Sequence, residues 1–331
     1  MNKKGEYIFS FIVPVYNVAD YVEQCIRSLY NQDIPVTDYE VIVVDDCSPD
    51  NSKDIVVALQ SEFPNLQLIS LTENMKLGSA RNIGLKNASG KYIWFVDSDD
   101  YIQPNTLKRF VNELDNNELE ILHFDYQVFN EDGTIVPYRV HYDLKTCTGA
   151  EFYFDSHELW WQKGVEVWRN VYRKSFLIEN NFWFAEKVMY EDVDYSFKVF
   201  AKAKRVKHID FAPYFYRNNT SSITQTNVTP MHLKYWLLLA LRCDKLREFF
   251  QEDSNIDERF LIIIDEFIKY QLGCVIQNLR KFNTKNRRLY RSLVNKLNLA
   301  SVRKYVSFKK YLFLKYPITI ITLIFFTLFD F

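Results

Sequence analysis

The first hundred residues predict an α/β fold on a mostly parallel sheet, and three observations carry that prediction. Apolar runs of strand length recur at 9–15, 39–45, 66–71 and 91–97. Helical patterns fill the intervals at 18–30, 52–63 and 79–88, and the links between them are short. Continuous apolar strands alternating with helices describe βαβ units, whose parallel sheet is covered on both faces. In such sheets ligands sit outside the carboxyl ends of the strands, so chemistry is expected at the strand ends.

Taken in order, those ends are unusually polar. The first strand closes in Pro14-Val15-Tyr16-Asn17. The second closes in Asp45-Asp46, followed by CSPDNS, a turn and helix-cap composition in its own right. The third helix begins near Gly78-Ser79 and carries Arg81 early, where helix N-terminal amides and a guanidinium can hold phosphate. An ordinary surface arginine is the plainer alternative. The fourth strand, Tyr92-Ile93-Trp94-Phe95-Val96, ends abruptly in Asp97-Ser98-Asp99-Asp100, just before a helix opening near Pro104. One aspartate there would cap the helix. Three acids repel one another unless a cation sits between them, and carboxylate oxygen suits a hard divalent ion that shares its shell with phosphate. If the sheet is parallel, the two groups of acids converge on one rim despite their separation in sequence.

From about Glu120 the pattern changes. Runs 119–129 and 134–140 read as two strands joined by Glu131-Asp132-Gly133, a hairpin signal that makes a mixed-sheet extension. Residues 152–185 are dense in aromatics, among them Trp160, Trp161, Trp168, Phe182, Trp183 and Phe184. Most are expected in the core, with one or two left to line a ligand site, since rings also stack on sugar faces. Glu191-Asp192 opens a helix whose Val193, Phe197, Phe200 and Ala201 recur at helical spacing. By itself an acid pair at a helix start is a favourable dipole interaction. Beyond Thr229 the chain reads as helices at 230–252, 258–281 and 286–297.

Length and composition bound the rest. The 331 residues are 48% apolar and 17% aromatic, enough for a packed core of one large or two modest domains. The five cysteines lie far apart with no zinc or CxxC spacing, which fits free thiols in a reducing compartment. Lys3 and Lys4 precede an apolar run that is too short for a signal peptide and meets Pro14, so no export is expected. With eight glycines the chain has neither G-x-G-x-x-G nor a P-loop, which argues against a dinucleotide dehydrogenase and a P-loop phosphotransferase.

The net charge of −1 conceals two electrostatic halves. Residues 1–200 hold 18 Lys and Arg against 32 Asp and Glu, whereas residues 201–331 hold 23 against 10. Between Phe267 and Phe329 there are thirteen Lys and Arg and no acid. A solvated helical face usually interleaves Glu with Lys, so an anionic partner surface is the better inference. The apolar run from Tyr316 to Phe329 is fourteen residues, short of the roughly 20 that span a bilayer, and suits a segment lying in the membrane interface.

Four blocks, FSFIVPVYNVADYVEQCIRSLYNQ (9–32), YEVIVVDDCSPDNS (39–52), GSARNIGLKNASGKYIWFVDSDD (78–100) and EDVDYSF (191–197), together resemble family-2 glycosyltransferases, which have the GT-A nucleotide-sugar fold. The resemblance implies a GT-A domain over 1–228, with a nucleotide-binding half at 1–118 and an acceptor half at 119–228, followed by a basic helical region at 229–331. It implies that Pro14, Val15 and Tyr16 line the base pocket and that Asp46 contacts the uracil. It implies that Asp97 contacts the ribose or a metal-bound water, that Ser98 belongs to the donor site, and that Asp99 is the direct ligand of Mg²⁺ or Mn²⁺. Asp192 becomes the catalytic base, with Glu191 beside it. Arg81 is placed near the nucleotide, and Arg217, in YFYRNNTSSIT (214–224), becomes a candidate diphosphate contact in a segment that closes over the donor.

The expected activity is inverting transfer from a UDP-sugar to a hydroxyl of a lipid-linked or growing glycan in surface polysaccharide synthesis, on the cytoplasmic face of an anionic membrane. A sugar-phosphate nucleotidyltransferase would want a Gly-rich, Arg-bearing loop after the first strand, which Pro14-Val15-Tyr16-Asn17 does not supply. A non-catalytic nucleotide-sugar-binding protein would be expected to lose the metal or base residues, and Asp97, Asp99 and Asp192 all stand. Nucleic acid is not expected as a partner, because the basic half carries no recognised binding module.

Overall fold

The computed structural model describes residues 7–139, 145–155, 166–218 and 227–317. The chain forms two compact units, 1–222 and 223–331.

The first unit is built on a nine-stranded mixed sheet. Its elements in chain order are β1 (Phe9–Val15), α1 (Val22–Tyr30), β2 (Tyr39–Asp45), α2 (Ser52–Leu59), β3 (Leu66–Ser70), α3 (Leu77–Asn87), β4 (Tyr92–Phe95), β5 (Tyr101–Ile102), α4 (Leu107–Asn116), β6 (Ile121–Asn130), β7 (Ile135–Tyr138), α5 (Gly149–Asp155), β8 (Asn170–Arg173), α6 (Lys174–Glu179), α7 (Glu191–Lys202) and β9 (Val206–Asn218). The sheet order is β3-β2-β1-β4-β8-β6-β9-β5, with β7 on β6. Strands β1 to β4 pair in parallel, as their apolar runs require. Every residue of β1 and β2 is buried. Beyond β4 the sheet turns mixed: β8 runs antiparallel to β4 and β6, and β9 lies parallel to β6.

Helix α1 starts at Val22, four residues later than its apolar pattern predicts. The preceding amides are captured by the next loop instead: Val18 N–H donates to Ser52 Oγ (3.0 Å) and Ala19 N–H to Asp50 Oδ2 (2.9 Å). Helix α2 stops at Leu59, and residues 60–63 close in turns, with Glu62 N–H and Phe63 N–H both donating to the Leu59 carbonyl, before Pro64, whose predecessor is kept out of the helical region. Trp168, Phe182 and Phe184 enter the core as expected. Trp183 is half-buried under Lys86, and Trp160 and Trp161 lie outside the described residues.

The second unit contains α8 (Pro230–Gln251), α9 (Arg259–Lys281), α10 (Thr284–Val294) and α11 (Phe308–Lys315). Thr229, Asn283 and Ser307 cap α8, α10 and α11 by accepting a backbone N–H three residues on. Asp244 of α8 is buried and is held by the Tyr305 hydroxyl (2.7 Å) and Lys304 Nζ (2.9 Å). Among the described residues no helix is long and apolar enough to cross a membrane. The apolar run expected at the terminus lies outside them from residue 318 onward.

Candidate active site

The carboxyl ends of β1, β2 and β4 form one rim, with β1 in the middle. Val15 is in register with Asp45, and Ile12 with both Ile42 and Phe95, so the acids after β2 and β4 flank Pro14-Val15-Tyr16. Pro14 and Val15 are buried in the strand, while Tyr16 stands 47% exposed at its end.

Asp46 is buried, and both carboxylate oxygens accept backbone amides: Met75 N–H reaches Oδ1 (2.6 Å) and Lys76 N–H reaches Oδ2 (2.8 Å). Burial raises its pKa against the opposing pull of these two bonds. The amides before α3, expected to face a phosphate, are therefore used on Asp46 and fix the entry of α3.

Helix α3 carries the centre of the site on a buried polar face. Arg81 is only 2% exposed, which rules out the surface-arginine alternative. Its Nη2 donates to Asp97 Oδ1 (2.7 Å) and its Nη1 to Glu191 Oε1 (2.6 Å), joining the end of β4 to the start of α7. Burial works to lower the guanidinium pKa, and the charges of Asp97, Glu191 and Asp192 outweigh it and raise it. The Arg81 guanidinium also lies over the Phe184 ring, which stacks on Tyr195 of α7 at 3.8 Å. Ser79 and Asn82, neither singled out in the sequence, dock the segment before α7. Lys187 N–H donates to Ser79 Oγ, while Asn82 exchanges hydrogen bonds with the backbone of Phe184. Gly78 is required by close approach: a Cβ there would come within 2.5 Å of the Ala185 carbonyl oxygen and 2.9 Å of Glu191 Cγ.

Asp192 follows Glu191 in the first turn of α7, and Tyr190 just before it adopts the left-handed conformation that turns the chain into the helix. Glu191 is buried and Asp192 half-buried. Burial pushes the Asp192 carboxyl up to about 8, with help from the charge of Glu191 and against that of Arg81. A carboxyl near neutrality is suited to taking a proton at physiological pH.

The three acids after β4 diverge. Asp97 turns to Arg81. Asp100 turns inward to β9, where its Oδ2 accepts the Tyr214 hydroxyl (2.7 Å) and its Oδ1 the Arg217 N–H (2.7 Å). The same Tyr214 oxygen accepts the Asp97 N–H (3.1 Å), so one buried tyrosine ties both ends of the turn. Burial raises the Asp100 pKa far above the carboxylate range, reinforced by Asp99 and Asp97. Ser98 is buried inside the turn. Arg217, expected to face a diphosphate, is committed within the protein. Its Nε donates to the Asp99 carbonyl (2.9 Å), its Nη2 to Gln24 Oε1 (2.7 Å), and its guanidinium lies over Tyr21, Tyr101 and Phe129. The remainder of the closing segment, from residue 219, lies outside the described residues.

Asp99 is half-buried in the same turn. Burial, then the neighbouring charge of Asp97, pushes its carboxyl up to about 6, a repulsion that a bound cation would relieve. Among the described residues no cluster of three or more His, Cys, Asp or Glu could cage a metal by itself. Asp99 and Asp97 offer carboxylate oxygen, the donor type that Mg²⁺ or Mn²⁺ takes.

A mixed sheet with acids at the carboxyl ends of β2 and β4 is the architecture of the GT-A fold, shared with solved glycosyltransferase structures. The profile described as "Glycosyl transferase family 2" matches residues 10–179, and the chain belongs to that family. It is 34% identical over 230 residues to the uncharacterized glycosyltransferase EpsJ of Bacillus subtilis, covering 67% of this chain and 64% of EpsJ. It is 32% identical over 210 residues to the poly(ribitol-phosphate) β-N-acetylglucosaminyltransferase TarS of Staphylococcus aureus, covering 63% of this chain and 35% of TarS. The chain thus matches only part of the length of either relative. The crystal structure of S. aureus TarS 1–349 in complex with UDP-GlcNAc superposes with a TM-score of 0.63 at 24% identity, over 93% of this chain and 86% of that one, and shares the fold.

Proposed function

We propose that the protein is an inverting, metal-dependent glycosyltransferase that moves a sugar from a UDP-sugar to a hydroxyl of a lipid-linked or growing glycan in surface polysaccharide synthesis. The observation that carries this reading is the Asp97–Arg81–Glu191 bridge, which fastens the acid-bearing strand end to the helix turn bearing Asp192. The TarS relative and its UDP-GlcNAc complex support UDP as the nucleotide.

The exposed ring of Tyr16, with Pro14 and Val15 behind it, lies against the uracil, and Asp46 offers its remaining lone pairs to the base N–H. Asp97 reaches the ribose side of the donor. Asp99 is the metal ligand, and the Mg²⁺ or Mn²⁺ it holds would neutralise charge building on the diphosphate as it leaves. Asp192 takes the proton of the acceptor hydroxyl while that oxygen attacks the anomeric carbon from the face opposite UDP. The bond to the diphosphate oxygen breaks, its electron pair leaves with UDP, and the single displacement inverts the anomeric centre. Glu191 acts through Arg81 as a positioning residue. Arg217 holds the Asp99 turn and adds positive charge behind it.

The second unit supports placement on the inner, anionic face of a membrane. Lys285, Arg287, Arg288 and Arg291 crowd α10, and Lys309, Lys310 and Lys315 follow on α11. Near an anionic surface each is worth about 1 kcal/mol. Removal of residues 312–331 is expected to release the protein from anionic vesicles, and undiminished binding of the truncated form would overturn the membrane assignment. The activity itself is tested with a panel of nucleotide sugars, following nucleoside-diphosphate release with Mg²⁺, Mn²⁺ or EDTA. Turnover of a UDP-sugar that EDTA abolishes is expected. Absence of release from every donor would overturn the reading.

A further inference from the structure

Lys76, the residue before α3, holds a backbone conformation that a lysine does not take without cause. Its φ is 72° and its ψ 160°, a region essentially confined to glycine. Both of its peptide groups are fixed there. Its N–H donates to Asp46 Oδ2 (2.8 Å), and its carbonyl accepts Ser79 N–H (3.0 Å) and Ala80 N–H (3.2 Å). Glycine would make all three bonds without strain, so what lysine supplies at this place is its side chain.

The charge on that side chain is uncommitted. Arg81 and Arg217, the two cations expected at the donor's phosphates, are used inside the protein by Asp97, Glu191, Gln24 and the Asp99 carbonyl. Lys187, whose N–H meets Ser79, pairs with Glu73 at 3.0 Å. Lys76 is exposed, and among the described residues its ammonium has no hydrogen-bond, ion-pair or ring partner. It belongs to the same rim as the acids. The Asp46 N–H donates to the Val15 carbonyl at the end of β1 (2.8 Å), and while burial raises the Asp46 pKa, the Lys76 charge is among the influences that lower it. Phosphates brought to an acidic rim call for a cation, and a compact ammonium on a flexible stem meets phosphate oxygen as a point charge.

We propose that Lys76 is a specificity-determining contact of the donor site, its ammonium binding the diphosphate of the nucleotide sugar while its backbone N–H holds Asp46 for the base. This rests on the nucleotide-sugar reading above and assigns within it the phosphate contact that Arg81 and Arg217, held inside the protein, leave unfilled. One residue thereby serves both ends of the nucleotide: its amide orients the carboxylate at the uracil, and its side chain meets the charge.

The test titrates the full chain with uridine and with UDP in the presence of Mg²⁺, by ligand-observed NMR, as wild type, Lys76→Gly, Lys76→Met and Lys76→Arg. Glycine removes both the charge and the strain, so Lys76→Gly is expected to melt no lower than wild type and yet to bind UDP weaker by about fivefold or more. Lys76→Met is expected to lose UDP affinity likewise, and Lys76→Arg, which keeps a cation, to hold it within about twofold. Uridine is expected to bind all four proteins alike. UDP affinity unchanged in the glycine and methionine variants, or a loss shared equally by uridine, would overturn the inference and leave the donor reading standing. Failure of the wild type to bind UDP would instead overturn the donor reading, and the inference with it.

Discussion

Replacing Arg81 with methionine should unfold the site and much of the first unit's stability with it. Methionine fills the stem of the arginine but leaves Glu191, 4% exposed, and Asp97 without their shared cation. Removing one partner of a buried ion pair costs about 3–5 kcal/mol, because the remaining buried charge loses its counterion. Asp97 is one-quarter exposed in its side chain and can recover hydration, so Glu191 bears most of the loss. For a unit of 222 residues, about 2–4 °C per kcal/mol gives a fall in Tm of roughly 6–20 °C. The assay is thermal unfolding by circular dichroism, run also on Arg81→Met/Glu191→Gln. The second change removes the stranded charge and should recover a large part of the lost Tm without restoring activity. A single variant melting within about 2 °C of wild type, or a double variant less stable than the single one, would refute the reasoning.

Three further outcomes follow from the same geometry. Asp99→Asn should abolish metal-stimulated turnover while melting no lower than wild type, since the change relieves repulsion with Asp97; stimulation by Mg²⁺ or Mn²⁺ in the variant would count against the assigned ligand. Because the Asp192 pKa is raised in the fold to about 8, its burial costs stability progressively as pH climbs from the ordinary carboxylate range toward 8. The Tm advantage of Asp192→Asn over wild type should therefore be absent near pH 4 and grow toward pH 8, and a constant difference would contradict it. Tyr214→Phe removes the hydroxyl shared by Asp97 N–H and Asp100, so it should loosen the turn and raise the metal concentration for half-maximal rate several-fold. A loss of Tm with unchanged metal dependence would make Tyr214 merely structural.

How much of this was legible in the sequence differs from element to element. The bounds of β1 and β2 could be read directly, because a strand buried along its whole length is a continuous apolar run. The fourth strand's acids and the Glu191-Asp192 turn stood out for the opposite reason, as charges where burial predicts none. What could not be read is which way each charge turns. Asp100 looks like a third metal-facing acid, and only Tyr214, more than a hundred residues on, shows that it faces inward. The polar face of α3 was hidden similarly: nothing in the sequence marks Ser79 and Asn82, which are buried because the segment 184–187 closes over them. Arg81 was recognised as part of the rim, but its service to two carboxylates, instead of phosphate, depends on a partner 110 positions away. The late start of α1 has the same origin, in hydrogen bonds from a different loop.

The account stands or falls on Asp192 as the base, and one measurement addresses it directly. With the UDP-sugar that the donor panel identifies, the transfer rate and the donor dissociation constant are measured side by side for wild type and Asp192→Asn. Asparagine keeps the size and loses the basicity, so kcat should fall by about 10²–10⁴-fold while UDP-sugar affinity stays within about twofold. A variant that keeps its rate, or one that loses donor affinity in step with rate, would contradict the assignment.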